Sequence, residues 1–324
     1  MSGYLVRRAG GALLLVWLVV TLTFFLLHAA PGSPADSVLV DMPSAGRAEA
    51  RARLERALGL DRPLHEQYLS WLGGVARGDL GTSFANGRPV ARILGEALPN
   101  TLLLGLAALL VEYAVALPLG VWAARRRGRA ADQALRIGAL ALYSLPVFWL
   151  GLMALLLFAF RWPLFPAGHM LSPGAEALPP GERLLDLLHH LALPSAVLGL
   201  ASAGGTLRYV RGSLGETLAQ DYVRTARAKG LGEPRVVLLH GLRNALAPIL
   251  QVLGVSLPAL LNGSLIVEIV FSWPGVGRIA YQAISTRDLP LTLGTTALAA
   301  ILVVAGSLGA DLLHAAADPR VRRV

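Results

Sequence analysis

Three carboxylates, Glu112, Glu268 and Asp311, lie within long apolar stretches of this 324-residue chain. A carboxylate at the centre of a bilayer costs about 2.5–3.5 kcal/mol, so such a group must face protein or a water-filled cavity. Glu112 and Glu268 are therefore candidates for lining a substrate path, where they would bind an ammonium group or another cation. The alternative is a structural hydrogen bond between helices or, for Glu268 and Asp311, a position near the membrane interface.

A polar and basic hairpin at residues 221–247 lies between two stretches that are each long enough to cross a bilayer. The sequence predicts a helix from Tyr222 to Lys229, a break at Gly230, and a second helix that starts near Pro234, where no backbone donor is needed. Such a compact element favours docking against another protein, whereas a solvated loop that only fixes topology is the alternative. The small residues at the end of its first helix are Ala226, Ala228 and Gly230, and the surrounding basic residues are Arg224, Arg227, Lys229, Arg235 and Arg243.

Composition places the chain among membrane proteins. Apolar residues form 55% of it and charged residues 15%, which a soluble domain of this length would not need. The net charge of +9 does not indicate nucleic-acid binding, because the arginines concentrate at the ends of apolar stretches rather than on one soluble face. The chain has no cysteine, which excludes disulfides, thiol nucleophiles and thiolate metal sites.

The sequence contains none of the common motifs that indicate an enzyme active site. The only lysine, Lys229, follows Ala228 and precedes Gly230, so the chain has no phosphate-binding loop of the form Gly-x-x-x-x-Gly-Lys-Ser/Thr. It also has no HExxH, GxSxG or aspartate-rich calcium loop. We therefore expect no enzymatic activity and no cofactor, and the one remaining enzyme reading is a membrane-embedded hydrolase that uses scattered groups.

Two adjacent histidines, His189 and His190, are the strongest candidates for metal ligands. Neighbouring residues on a helix point about 100° apart, so the two rings do not readily ligate one ion. We expect no metal site here.

Six stretches of about 20 residues are long enough to span a bilayer. Arginines cluster at alternate ends of these stretches, so the positive-inside rule predicts that both termini and the hairpin are cytoplasmic. The fourth stretch is rich in glycine and serine, which suits a helix packed among other helices. The predicted spans are 9–27, 101–123, 134–160, 191–210, 249–270 and 291–313.

These spans divide the chain into four parts. Residues 1–30 form the cytoplasmic N-terminus and the first transmembrane helix, and 31–98 form a small extracytoplasmic domain. Residues 99–313 form a transmembrane core that contains the hairpin, and 314–324 form a cytoplasmic tail.

The hairpin resembles the cytoplasmic loop of type I ABC importer permeases. That loop has a short consensus that begins Glu-Ala-Ala and places a glycine four residues after the second alanine. Here Arg224, Thr225 and Ala226 take the opening positions and Gly230 that of the glycine. An Arg-Thr-Ala opening is the usual form in the branch of dipeptide, oligopeptide and nickel permeases.

The resemblance to that branch extends over nearly the whole chain, in six dispersed blocks that occur in order. Besides the hairpin these are FFLLHAAPGSPAD at 24–36, an outer segment that begins LGLDRPL at 58 and ends with GRPV at 87–90, SLPVFWLG at 144–151, VEIVFSWPGVG at 267–277, and residues 311–322, which end in DPRVR.

The resemblance implies an all-α polytopic membrane protein with six transmembrane helices, the type I ABC importer permease fold, and a small extracytoplasmic domain after the first helix. It also implies a place in the cytoplasmic membrane of a prokaryote. The implied partners are a second, homologous permease subunit, two ABC ATPase subunits and an extracytoplasmic solute-binding protein. The implied substrate is a dipeptide or oligopeptide, with nickel or a nickel chelate as the alternative.

The same resemblance assigns the first helix of the hairpin to ATPase coupling. Within it we expect Gly230 to end the helix with a positive φ angle and Ala226 to be the point of closest contact with the ATPase. The residues expected to carry coupling are Tyr222, Arg224, Thr225, Ala226, Lys229 and Gly230.

Overall fold

The computed structural model describes residues 2–31, 44–57, 59–245, 249 and 264–317, and these residues are mainly helical with no β-strand. Shorter helical segments are the π-helical turns Leu156–Arg161 and Val236–Leu242 and the 3-10 turn Ala175–Ala177. Residues 264–270 are also helical. The α-helices are α1 (Ser2–Ala29), α2 (Ser44–Ala57), α3 (Leu64–Ala76), α4 (Val90–Arg125), α5 (Ala130–Ser144), α6 (Val147–Leu155), α7 (Pro180–Leu218), α8 (Asp221–Ala228), α9 (Glu233–Arg235), α10 (Val276–Ser285) and α11 (Leu289–Ala317).

Four helical segments of the described residues are long and apolar enough to cross a membrane. They overlap the predicted first, second, fourth and sixth spans. Most of the predicted fifth span, 249–270, lies outside the described residues, as do 32–43 of the predicted outer domain and 318–324 of the tail. The four segments are Gly10–Ala29, Val90–Arg125, Pro180–Leu218 and Leu289–Gly309.

The predicted third span, 134–160, is not one straight helix. It is divided between α5 and α6, whose axes differ in direction by 96°. Leu145 has an extended backbone, with φ −78° and ψ 136°, because the ring of Pro146 disfavours the α conformation in the residue before it. The bent pair gives a fifth candidate span.

Helix α7 is the central element of the transmembrane core. Its 39 residues would extend about 58 Å, well beyond the roughly 30 Å of a hydrocarbon core. A Cβ atom added to Gly199 would lie 2.5 Å from the carbonyl oxygen of Ala108 on α4, and one added to Gly204 would collide with the backbone of Ala139 on α5. The close packing predicted for the fourth span is therefore confirmed, and its glycines are what permit it.

The chain forms two compact units, one of Met1–Thr101 with Pro274–Leu302 and the other of Leu102–Trp273 with Val303–Val324. In the first unit, apolar residues of α4 pack against Val276 and Ala283 of α10 and against Leu291 of α11. The described part of the predicted outer domain thus shares its core with residues that are distant in sequence.

A buried aspartate stabilises this first unit. Asp288, which is 1% exposed, accepts hydrogen bonds from the hydroxyl of Ser83 at 2.5 Å and from the backbone N–H of Ala85 at 3.1 Å. It also accepts one from the N–H of Leu291 at 3.2 Å, which caps the start of α11. One carboxylate therefore fixes both the loop before α4 and the N-terminus of α11.

Candidate functional site: a basic hairpin

Helix α8 is amphipathic and packs against the segment that follows it. Val223 and Ala226 are buried and contact Val236, and Leu218 and Leu231 complete this small apolar cluster. Residues three apart lie on one helical face, so this spacing buries a narrow stripe and leaves the rest of α8 exposed. The hairpin has its own core, and its described part ends at residue 245.

The end of α8 is a Schellman motif. Gly230 has φ +81°, the positive value that the sequence predicts for it. The N–H of Leu231 donates to the carbonyl of Ala226 at 3.4 Å, and the N–H of Gly230 donates to that of Arg227 at 2.9 Å. The side chain of Leu231 packs into the same cluster as Ala226. The chain direction after α8 is therefore fixed by backbone hydrogen bonds and by an apolar contact.

Tyr222 links the two arms of the hairpin. Its hydroxyl donates to the carbonyl oxygen of His240 at 3.3 Å and accepts from the side-chain amide of Asn244 at 3.0 Å. The same amide donates to the carbonyl of His240 at 2.9 Å. These bonds hold the start of α8 against the second arm.

An ion pair closes the turn at the other end of α8. The guanidinium of Arg227 donates from Nε to Glu233 Oε2 at 3.1 Å and from Nη2 to Oε1 at 2.9 Å. This bidentate hydrogen bond lowers the pKa of Glu233, and the nearby charge of Arg125 lowers it further. The same bond raises the pKa of Arg227. Because both side chains remain about 40–45% exposed, the pair contributes little stability but a defined geometry.

The structure separates the predicted coupling residues into two groups. Ala226 is only 5% exposed and faces the inside of the hairpin, which favours a place in the hairpin core over the close contact with the ATPase that the sequence suggested. It follows Val223 by three residues and therefore shares the buried face. The exposed group consists of Tyr222, Arg224, Thr225, Lys229 and Gly230.

Sequence reasoning missed two exposed leucines in the second arm of the hairpin. Leu238 and Leu239 are 57% and 55% exposed, whereas the preceding Val236 and Val237 are buried. Four consecutive apolar residues in a helical segment cannot all face one core, and that run was the available signal.

The two carboxylates predicted to line a substrate path are both buried. Glu112, on α4, is 1% exposed and accepts a 2.5 Å hydrogen bond from the hydroxyl of Thr206 on α7. This contact favours the structural alternative for Glu112. Glu268 is fully buried, and its backbone carbonyl accepts a hydrogen bond from the N–H of Trp273. The side chain of Asp311 lies outside the described part of the structure.

A buried ion pair that the sequence did not suggest lies near the hairpin. Asp132, at the start of α5, is 2% exposed and binds Arg211 on α7 with distances of 2.5 and 2.6 Å. It also accepts the N–H of Gly128 at 2.9 Å. The guanidinium of Arg127 lies over Gly215, 3.1 Å from where a Cβ atom would be. The loop between α4 and α5 is thus braced against the end of α7 from which the hairpin continues.

The adjacent histidines each bond to a backbone carbonyl. His189 Nε2 lies 2.7 Å from the oxygen of Leu164, and His190 Nδ1 lies 2.9 Å from that of Asp186. The two ring planes differ by 77°. Among the described residues, no group of three or more histidine, aspartate or glutamate side chains could hold a metal ion.

Long apolar helices packed through glycines, together with a self-contained basic hairpin, define a polytopic membrane protein of the permease class. The chain belongs to the family of binding-protein-dependent transport system inner membrane components, whose model matches residues 116–323. The model for the N-terminal part of such components matches residues 1–105.

Relatives match this chain along nearly its whole length. It is 37% identical over 322 residues to the oligopeptide transport system permease protein AppB of Bacillus subtilis (strain 168), and the alignment covers 99% of each chain. It is 36% identical over 340 residues to the dipeptide transport system permease protein DppB of Escherichia coli (strain K12), again with 99% of each chain covered. For the di/tripeptide transport system permease protein DppB of Pseudomonas aeruginosa (strain UCBPP-PA14) the identity is 38% over 336 residues, with the same coverage.

The solved structure of the inward-facing MetNI methionine ABC transporter shares the fold. The TM-score is 0.54 at 18% sequence identity, and the match covers 70% of this chain and 96% of the other. The all-α type I importer permease fold predicted from the sequence is therefore confirmed. The count of six spans stays a prediction.

Proposed function

We propose that this chain is a permease subunit of an ATP-driven ABC importer that translocates dipeptides and oligopeptides across the cytoplasmic membrane by alternating access. The observation that carries the proposal is the similarity to oligopeptide and dipeptide permeases over 99% of both chains. An importer of this kind needs partners, because the chain has no phosphate-binding loop of its own. The proposed partners are a second, homologous permease, two ABC ATPase subunits and an extracytoplasmic solute-binding protein.

The orientation that this function requires is supported by the arginines. Basic residues flank the apolar segments at both termini, in the loop between α4 and α5, and in the hairpin. The positive-inside rule predicts that all four regions are cytoplasmic, which is the side on which an ATPase binds.

We propose that α8 docks in a cleft of the ATPase. Its exposed face carries Arg224 and Thr225, and the exposed Lys229 follows its last residue, while its opposite face packs in the hairpin core. A surface of this kind can be displaced as one body because the Schellman motif and the Tyr222 hydrogen bonds fix its shape.

A displacement of α8 would be transmitted to the transmembrane helices through buried contacts. Val210 and Leu214 of α7 pack with Val237 and Ala245 in the second arm of the hairpin, and Ala124 of α4 belongs to the same cluster. α8 also begins only three residues after the end of α7. Because packed cores respond as units rather than deforming continuously, a shift of the hairpin moves the ends of α4 and α7.

The proposal is tested by reconstituting the purified complex in proteoliposomes with the binding protein. Uptake of a radiolabelled dipeptide should require both ATP and the binding protein. Peptide uptake should also survive the replacement of His189 and His190 by alanine, since both rings bond to backbone carbonyls. ATP-dependent uptake of nickel without any peptide uptake would contradict the proposal.

Copurification distinguishes the proposed transporter function from that of a membrane-embedded hydrolase. An affinity-tagged copy of this chain should retain two ABC ATPase subunits through washing in mild detergent. A chain that purifies alone, and that hydrolyses a substrate by itself, would overturn the assignment.

A further inference from the structure

Helices α4, α5 and α7 enclose an apolar groove of about 530 Å³ on the second unit. Leu119 and Trp122 of α4, Leu135 and Gly138 of α5, and Leu207 of α7 are among its walls. Open space lies in front of Gly138, since a Cβ atom added there would meet no atom within 4 Å. The lining is almost entirely apolar, so an occupant of this part must be apolar too.

One end of the groove is cationic. Trp122 lines the groove near the end of α4, and the guanidinium of Arg126 lies 4.5 Å from the centre of its ring. Ala131 lines the groove only two residues after Arg129. Four of the five residues at 125–129 are arginines. Positive charge thus lies where the apolar wall ends.

The carboxylate nearest in sequence does not neutralise this charge. Asp132 is bound to Arg211, and its second oxygen also accepts the N–H of Gly128. Within the part of the chain that the structure describes, neither Arg126 nor Arg129 forms an ion pair with a carboxylate. The groove therefore combines an apolar channel with guanidinium groups that can take an external anion.

We propose that the groove binds an anionic phospholipid, with one acyl chain along the apolar wall and the phosphate against Arg126 and Arg129. Guanidinium groups match phosphate oxygens in geometry and charge, and basic pockets between transmembrane helices bind anionic headgroups. Tryptophan is the residue typical of the depth at which headgroup and acyl chain meet, which is where Trp122 lies in this arrangement. A transmembrane helix from a partner subunit would fill the apolar part but leave the cationic end without an anion.

Quenching of Trp122 by brominated acyl chains reports on this occupancy. The intact complex is reconstituted in vesicles of dioleoyl phosphatidylcholine that contain a small fraction of lipid with brominated chains and either a phosphatidylglycerol or a phosphatidylcholine headgroup. The signal of Trp122 is the difference between the wild-type complex and a Trp122→Phe complex. We expect the brominated phosphatidylglycerol to quench this signal at a lower mole fraction than the brominated phosphatidylcholine.

Two sets of variants assign the effect to the groove. Arg126→Gln and Arg129→Gln should each weaken the preference for phosphatidylglycerol about fivefold, since each removes one cation from the headgroup site. Gly138→Leu should fill the groove and reduce the quenching by both lipids. Gly95→Leu is the matched control, because Gly95 is also an exposed helical glycine with no atom within 4 Å of its Cβ position.

Two outcomes would overturn the proposal. Equal quenching by the two headgroups would show that the arginines select no anion. Protection of Trp122 from both lipids in the intact complex would show that a partner helix fills the groove instead. The arginine variants keep the test valid even if Gly138→Leu impairs folding, because both arginines are exposed and neither packs in a core.

Discussion

The carboxylate of Asp132 accepts two hydrogen bonds from the guanidinium of Arg211 and so joins the first turn of α5 to α7. The pair is almost completely buried on the aspartate side and 17% exposed on the arginine side. Since Asp132 also fixes Gly128, the position of the whole loop between α4 and α5 depends on it. Arg125, the last residue of α4, lies close enough to Glu233 to lower its pKa.

Removing Asp132 should therefore destabilise the permease strongly. Asp132→Ala leaves a mostly buried guanidinium without its partner, and we expect a loss of about 3 kcal/mol in the free energy of unfolding. Thermal denaturation in detergent, followed by the fraction that stays monodisperse, measures this loss. The exchanged pair Asp132→Arg with Arg211→Asp should recover part of it, whereas Asp221→Ala, at an exposed acid, should change little.

The exposed face of α8 should carry coupling. Arg224 is 75% exposed, and it pairs with Asp221, which is 94% exposed, so Arg224→Glu should leave the fold intact. We expect the variant to lose peptide uptake and to bind the ATPase more weakly, because one or two residues dominate such interfaces. Arg183→Glu, at an exposed arginine predicted to lie on the other side of the membrane, is the control. Arg125 is unsuitable as a control because its charge acts on Glu233.

Gly230→Val should act through the backbone instead. Valine is strained at φ +81°, so the Schellman motif should open and the second arm should lose its fixed direction. The expected result is an inserted permease that pairs with its homologue but transports no peptide, while ATP hydrolysis by the complex no longer depends on the binding protein. Normal uptake at wild-type expression would show that the hairpin only sets topology.

Much of the hairpin follows from the sequence because its determinants are local. The helix break at Gly230 and the start of the next helix near Pro234 depend on backbone preferences of single residues. The inward orientation of Ala226 depends instead on where Val236 packs, which the helical pattern alone does not fix. The bend at Pro146 is local in origin, but its angle of 96° does not follow from the proline alone.

Contacts between distant residues account for what the sequence does not reveal. Asp132 and Arg211 are 79 positions apart, and Asp288 and Ser83 are 205 apart. A single acid in a basic or apolar neighbourhood suggests that a partner exists but does not identify it. For the same reason Glu112 could be interpreted as a substrate ligand until the hydroxyl of Thr206 was seen against it.

The pair formed by Arg227 and Glu233 should make the hairpin sensitive to acid. The pKa of Glu233 is lower in the folded protein than its ordinary value of 4.5, so the pair contributes its full stability above about pH 4.5 and loses it as the pH falls through the folded pKa. The free energies of unfolding of the wild type and Glu233→Gln, taken from melting curves, should differ by less than about 1 kcal/mol near pH 7, because the pair is partly exposed. As the pH falls below 4.5 the two free energies of unfolding should become equal. A difference that grows in acid would contradict this assignment.

Asp288 should hold the loop before α4 in place. Asp288→Ala removes the acceptor for the hydroxyl of Ser83 and for the N–H groups of Ala85 and Leu291, and unsatisfied buried donors cost about 1–3 kcal/mol each. We expect limited proteolysis to cut residues 82–89 much faster in this variant. Asp61→Ala, at an exposed acid, should leave the cleavage rate unchanged.

The bent pair of α5 and α6 decides the topology, and reporter fusions can resolve it. Green fluorescent protein folds to its fluorescent form in the cytoplasm but not when exported through the general secretory pathway, so fusions truncated after Arg129 and Arg235 should fluoresce and one after Gly87 should not. If the pair crosses the membrane as a single broken span, a fusion after Gly174 should also be dark, because an odd number of crossings separates it from Arg129. A bright fusion at Gly174 would make the pair a re-entrant loop and remove one crossing from the predicted six. A bright fusion at Gly87 would instead contradict the orientation of the whole chain, including the cytoplasmic position on which the proposed docking of α8 depends.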